Sequence, residues 1–146
     1  GRAVIALTQN IKLHYDVDGS DFTMAGEASS DAKRVLKKIG IPPEVVRRVS
    51  IAMYEGEINM VIHADGGAAD IEIGEHVITI TLVDHGPGIP DIDLAMQEGW
   101  STAPEEVRNL GFGAGMGLPN MKKYTDSFEL ASEIGVGTKV VMTVEF

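Results

Sequence analysis

The chain has 146 residues and a mass of 15.6 kDa, the size of one domain with room for a real core. Acids outnumber bases 22 to 12, for a formal charge of −10 and a pI of about 4.7, which argues against binding nucleic acid by phosphate neutralisation and against a polybasic membrane-surface role. Cysteine is absent, so a disulfide framework, a thiolate nucleophile and a cysteine-ligated metal are excluded. Glycine is the oddity: 17 residues against a usual ~7%, nine of them from Gly86 to Gly137. With no apolar run near the ~20 residues of a membrane span and no signal-peptide pattern at its start, the expectation is a cytoplasmic globular domain.

Ile11, Leu13, Tyr15 and Val17 alternate with polar residues, a period of two that predicts a half-buried strand over 11–17. Residues 24 to 39 suit a helix, with Ala28, Ala32, Val35, Leu36 and Ile39 on its apolar side and Gly40 as its stop. Pro42-Pro43 opens a second helix from about 44 to 64, striped by Val45, Val49, Ala52 and Met53 and ended by Asp65-Gly66-Gly67.

Ile71 and Ile73 mark a short strand, followed by a tight turn at Gly74-Glu75. Residues 77–83 form the clearest strand; Ile78, Ile80 and Leu82 share a face, which Asp84 continues. A glycine-containing segment follows from about 85 to 117, with a short helix near 92–98. A helix over 119–126 and a final hairpin (127–132 and 138–146) complete the chain, with Val140, Met142, Val144 and Phe146 on the buried face. Clustered rather than alternating elements predict an α+β fold: a two-layer sandwich in which a mixed, mostly antiparallel sheet carries helices on one face.

Three segments have chemical potential. On the second helix, Glu55, Asn59 and His63 lie at i, i+4 and i+8 and so share one face. A solvated polar face has the same pattern. Gly56, inside that helix at a cost of ~1 kcal/mol, implies close approach of another group. Glu57 lies ~200° round the helix from Glu55 and is expected to point away. Asp84-His85-Gly86-Pro87-Gly88 places a carboxylate at a strand end, where it either meets a buried partner or caps its own turn. Gly111-Phe112-Gly113-Ala114-Gly115-Met116-Gly117-Leu118 leads glycines into a helix start, an arrangement that exposes backbone N–H groups to an anion or serves as a flexible loop. Neither the Rossmann nor the Walker pattern is present.

In this order the segments resemble the GHKL ATPase superfamily, with its Bergerat nucleotide-binding fold. Glu55-x-x-x-Asn59 looks like the N box, Asp84-x-Gly86-x-Gly88 the G1 box, and Gly115-x-Gly117-Leu118 the G2 box. Gly135-x-Gly137-Thr138 looks like the loop that closes the same site. Within the superfamily the chain is most similar to the serine/threonine protein kinases of the anti-sigma-factor type, above all the short stressosome-type switch kinases; Trp100-Ser101-Thr102-Ala103-Pro104 and residues 111–120 support this.

The resemblance implies one ATP-binding kinase domain over residues 1–146, with ATP and Mg²⁺ as cofactors. It implies Glu55 as general base and Asn59 as Mg²⁺ ligand. Asp84 would accept from the adenine amino group, with Gly86 and Gly88 letting the base lie close. Gly113, Gly115, Gly117 and Leu118 would offer N–H groups to phosphates, and Thr138 would support the adenine contact. Arg108 and Lys122 are the candidate phosphate cations. His85 departs from the pattern, since many relatives carry Asn there. The implied partner is a STAS-domain anti-sigma antagonist or scaffold, phosphorylated on Ser or Thr; a sigma factor, a phosphatase and a second copy of the chain are further candidates. The alternative is a nucleotide-gated module that binds a regulator with little or no phosphotransfer.

Overall fold

The computed structural model describes residues 10–20, 22–97 and 117–146. Five strands form one sheet: β1 (Ile11–Asp18), β2 (Gly66–Ile73), β3 (Val77–Asp84), β4 (Ser127–Glu133) and β5 (Gly137–Glu145). Their order is β1-β2-β3-β5-β4, and every pairing among the described strands is antiparallel. Four helices accompany them among the described residues: α1 (Glu27–Lys38), α2 (Pro43–Ala64), α3 (Ile92–Ala95) and α4 (Gly117–Lys123). This is the expected α+β sandwich.

Alternation in the strands decides which face is covered. One rung of the inner face runs Leu13, Ile71, Ile80, Met142, Phe128; the next runs Tyr15, Ala69, Leu82, Val140, Leu130. Lys12, His14, Asp70, Glu72 and Glu129 point the other way and are exposed. α2 lies across the inner face against β2, β3 and β5, with α1 and α4 packed beside it. Leu36, Val49, Met53, Ile80, Met121 and Met142 are among the fully buried side chains where the layers meet. Full burial of such a side chain stabilises by about 1.5–3 kcal/mol.

Several boundaries differ from the sequence expectation, for physical reasons. α1 begins at Glu27 rather than Met24, because Phe22–Met24 form a 3₁₀ turn and Gly26 adopts φ +98°, which no helix accommodates. Ile39 lies beyond the helix end and is 42% exposed, so it is not part of the apolar stripe. β2 is eight residues long and includes Gly66 and Gly67, residues expected to end the second helix. The C-cap of α2 is Asp65 alone, in the left-handed region. α3 ends at Ala95, its N-terminus capped by Asp91, whose carboxylate accepts from the Leu94 N–H at 3.0 Å. α4 begins at Gly117, two residues before Pro119, and ends at Lys123. Phe146 is exposed rather than buried, because β5 ends at Glu145.

Candidate functional site

α2 brings the first group together. Glu55 and Asn59 lie beneath the first turn of α4: a Cβ at Gly117 would stand 3.3 Å from Asn59 Oδ1 and 3.6 Å from Glu55 Oε2. Glu55 is half-buried, which pushes its carboxyl up from the usual glutamate range, while a side-chain hydrogen bond from Asn120 works to lower it. Gly117, Asn120 and Met121 stand at i, i+3 and i+4 on α4, the face turned to α2. Leu118 and Met121 are buried and anchor that short helix in the core.

Gly56 explains how α2 comes so close to the sheet. A Cβ there would stand 2.0 Å from Leu82 Cδ1 and 3.3 Å from Met121 Sδ. The close approach inferred from a mid-helix glycine is therefore made by β3 and α4. Glu57 points away from Glu55, as expected, but its role had no local signal. Its carboxylate, 2% exposed, accepts from the backbone N–H groups of Gly26 (2.9 Å), Ala28 (3.1 Å) and Ser29 (2.9 Å). It caps the N-terminus of α1 from another helix, where an anion is favoured.

The second group lies further along the same α2 face, at its C-terminal turn. Asp84 closes β3 on the inner face, in the rung with Thr138 and Ser132. Its Oδ1 accepts from the N–H groups of Gly86 (3.0 Å) and Thr138 (3.1 Å). Both of these bonds fall on one oxygen, so they leave Oδ2 as the acceptor face of the carboxylate. His63 sits beside it: burial lowers its pKa and the charge of Asp84 raises it. The Thr138 hydroxyl lies 2.8 Å from Ser132 Oγ, which also accepts the Ile89 N–H at 2.7 Å.

The glycines of this end are packed against the protein's own chain. A Cβ at Gly86 would stand 2.5 Å from the Ala64 Cβ, and one at Gly88 would stand 2.6 Å from the Glu133 carbonyl oxygen. Gly137 has φ +143° and its Cβ would lie 2.1 Å from the Asp84 carbonyl oxygen. These contacts close the β4–β5 hairpin onto the end of β3 and hold Asp84 in place.

Of the residues expected at a site, the structure thus brings Glu55, Asn59, Gly117 and Leu118 together along the second half of α2, and Asp84, Gly86, Gly88 and Thr138 beside its C-terminal turn. Lys122 and His85 are exposed. Arg108, Gly113 and Gly115 lie outside the described residues. Asn120 and Ser132 were missed: a single Asn or Ser carries no sequence signal until its partner in space is known. Among the described residues no group of three or more His, Asp or Glu stands where it could hold a metal. The donors that do fit a hard cation are oxygens, with Asn59 Oδ1 beside the Gly117 cradle.

Residues 20–144 match the model of the histidine kinase-like ATPase domain. The chain is 34% identical over 112 residues to the serine/threonine-protein kinase RsbT of Bacillus subtilis, covering 74% of this chain and 78% of that protein. It is 34% identical over 107 residues to the anti-sigma F factor of Clostridium beijerinckii, covering 69% of this chain and 71% of the relative. Among solved structures, the RsbU and RsbW domains of a Mycobacterium tuberculosis protein superpose with a TM-score of 0.62 at 15% identity. That match covers 92% of this chain and 32% of the longer one, and shows the shared fold. The sequence match over most of the chain, on a fold built around α2 and the end of β3, places this protein in the histidine kinase-like ATPase domain family.

Proposed function

We propose that the chain is an ATP-dependent serine/threonine protein kinase of the anti-sigma-factor type, acting in the cytoplasm on a small regulatory protein. The observation that carries this reading is the spacing along α2. Glu55 and Asn59 stand in the second half of the helix and His63, beside Asp84, in its last turn, eight residues or roughly 12 Å from Glu55. That span suits a nucleotide lying along the helix, its base at Asp84 and its terminal phosphate near Glu55.

At the base, Asp84 Oδ2 accepts from the adenine amino group, with Gly86, Gly88 and Thr138 shaping the contact. At the phosphates, N–H groups of Gly117 and Leu118 in the first turn of α4 face the anion. Gly113, Gly115, Arg108 and Lys122 are proposed to extend this contact. Asn59 is the proposed ligand of Mg²⁺, which neutralises charge on the phosphate oxygens. Glu55 takes the proton of a partner Ser or Thr hydroxyl. The hydroxyl oxygen bonds to the γ-phosphorus as the bond from that phosphorus to the β–γ bridging oxygen breaks, and ADP leaves. A half-buried carboxylate with a raised pKa is a stronger base than an exposed one, which supports this role.

We propose a STAS-domain antagonist or scaffold as the phosphoacceptor. The test incubates the purified chain with γ-labelled Mg-ATP and a STAS-domain protein from the same genome. Label on the partner, lost in Glu55→Ala, supports the kinase. The relative named an anti-sigma factor matches at the same identity as the one named a kinase, which favours a second reading: a module that binds a sigma factor when nucleotide is present. A stable nucleotide-dependent complex without label transfer supports that reading instead.

A further inference from the structure

The basic residues of this acidic chain are concentrated in one stretch. Residues 33–48 hold six of its 12 Lys and Arg residues and one of its 22 acids. In the fold they form the C-terminal half of α1, the turn after it and the first turns of α2. Each helix turns one face to the core: Ala32 and Leu36 of α1 and Val45, Val49 and Met53 of α2 are buried. On their solvent side, Lys33 and Lys37 stand at i and i+4 on α1, and Arg47 and Ile51 at i and i+4 on α2.

An open groove of about 520 Å³ lies between these helices. Ile41, Val46 and Ile51 line it together with Lys33, Lys37 and Arg47. The three cations are exposed and the two isoleucines half-buried. Among the described residues neither Lys33 nor Lys37 forms an ion pair. Arg47 lies 3.9 Å from the Glu44 carboxylate, a long contact between exposed groups that contributes little. Its guanidinium stands 5.5 Å over the Tyr124 ring, which favours that position for the charge. The groove thus offers apolar surface and uncompensated positive charge side by side.

We propose that this groove docks an acidic amphipathic helix of a protein partner. The apolar lining receives the partner's apolar stripe, at the i, i+3, i+4 spacing of helix-in-groove recognition. Lys33, Lys37 and Arg47 pair with Asp or Glu residues that flank the stripe. Two features favour such a segment over other anions. Nucleic acid and an anionic bilayer carry extended arrays of charge, which a chain of net charge −10 repels as a whole. A short segment in the groove lies within a Debye length, about 8 Å at physiological salt, of the cations alone. Phosphate groups also have no apolar stripe to set against Ile41, Val46 and Ile51. The groove occupies the first half of α2, apart from Glu55, Asn59 and His63, so docking there is independent of phosphotransfer.

The test is fluorescence anisotropy of the whole chain, without nucleotide, with a labelled helical peptide of about 15 residues. The peptide carries Leu at i, i+3, i+4 and i+7 and Glu on the flanks. One control peptide has Lys in place of Glu, and another has Ser in place of Leu. The acidic amphipathic peptide binds and both controls fail. Lys33→Glu and Lys37→Glu each weaken binding about three- to tenfold. Lys12→Glu makes the same change in net charge on the far face of the sheet and leaves affinity within about twofold. These lysines are exposed, so the substitutions leave the core intact. Failure of the acidic peptide to bind, or equal losses in Lys33→Glu and Lys12→Glu, overturns the proposal. Binding of the peptide with Ser in place of Leu makes the groove a general anion trap and overturns it too. Binding of a short DNA duplex or of phosphatidylglycerol vesicles that Lys33→Glu abolishes overturns it in favour of a nucleic-acid or membrane face. A dimer in sedimentation that the same substitution dissociates assigns the groove to a second copy of the chain and overturns it likewise.

Discussion

Glu55 and Glu57 stand two residues apart on one helix and should respond to the same substitution in opposite ways. Glu57→Gln removes a carboxylate that accepts from three backbone N–H groups, two of them buried, with two bonds on Oε2 and one on Oε1. Glutamine keeps one oxygen, so at least one donor of α1 loses its acceptor and faces an amide N–H instead. A charge-assisted bond contributes about 1.5–3 kcal/mol, and an orphaned buried donor costs about 1–3 more. The expected loss is about 3–5 kcal/mol. For a chain of this length that is roughly a 10 °C fall in Tm, read by calorimetry and checked by urea denaturation. Glu55→Gln replaces a carboxylate that burial disfavours in its charged form; its stability should change by less than ~0.5 kcal/mol. Phosphotransfer should show the reverse, falling about 10²–10⁴-fold in Glu55→Gln and persisting in Glu57→Gln below its melting range. Equal destabilisation by the two variants, or a Tm change under about 2 °C in Glu57→Gln, would refute the capping assignment.

Asp84→Asn should weaken ATP affinity by ~1–3 kcal/mol while leaving the Oδ1 contacts able to form; unchanged affinity by calorimetry removes Asp84 from the base site. Gly137→Ala sets a methyl 2.1 Å from the Asp84 carbonyl oxygen at a φ of +143°. It should cost about 3 kcal/mol from strain and overpacking, and a melt within 1 °C of the wild type would contradict the close packing. Because burial raises the Glu55 carboxyl, the acid limb of phosphotransfer should lie above the ordinary glutamate value and move higher in Asn120→Leu, which removes the lowering hydrogen bond; a limb that stays put in the variant speaks against that contact. Asp126 is held below the usual aspartate range, first by the Glu145 N–H and then by Arg48. Its stabilisation is present above the unfolded value of ~3.9 and lost as pH falls through the lower folded value. The Tm gap between wild type and Asp126→Asn should therefore close in strong acid, and a gap of constant size from pH 7 to pH 2 rules this out.

Local pattern was enough to identify most of the elements. Alternation at Ile78, Ile80 and Leu82 specified a strand and its buried face, because side chains on a strand change sides at every residue. The same period puts Asp84 on the inner face. Helical spacing likewise put Glu55 and Asn59 on one side of α2 and turned Glu57 to the other. What lay beyond the sequence were contacts between segments far apart in the chain. The start of α1 depends on a carboxylate about 30 residues away, at Glu57, and on the left-handed turn at Gly26. The strand at Gly66-Gly67 exists because β1 pairs with it there, Val17 opposite Gly67 and Asp18 opposite Gly66. Asn120 meets Glu55 only when α4 packs on α2, and Ser132 meets Ile89 and Thr138 only when the hairpin folds onto β3. Dihedral preference and burial act residue by residue and so can be read in order along the chain. Hydrogen-bond partners across the fold are set by sheet register and helix packing, which the tertiary structure alone decides.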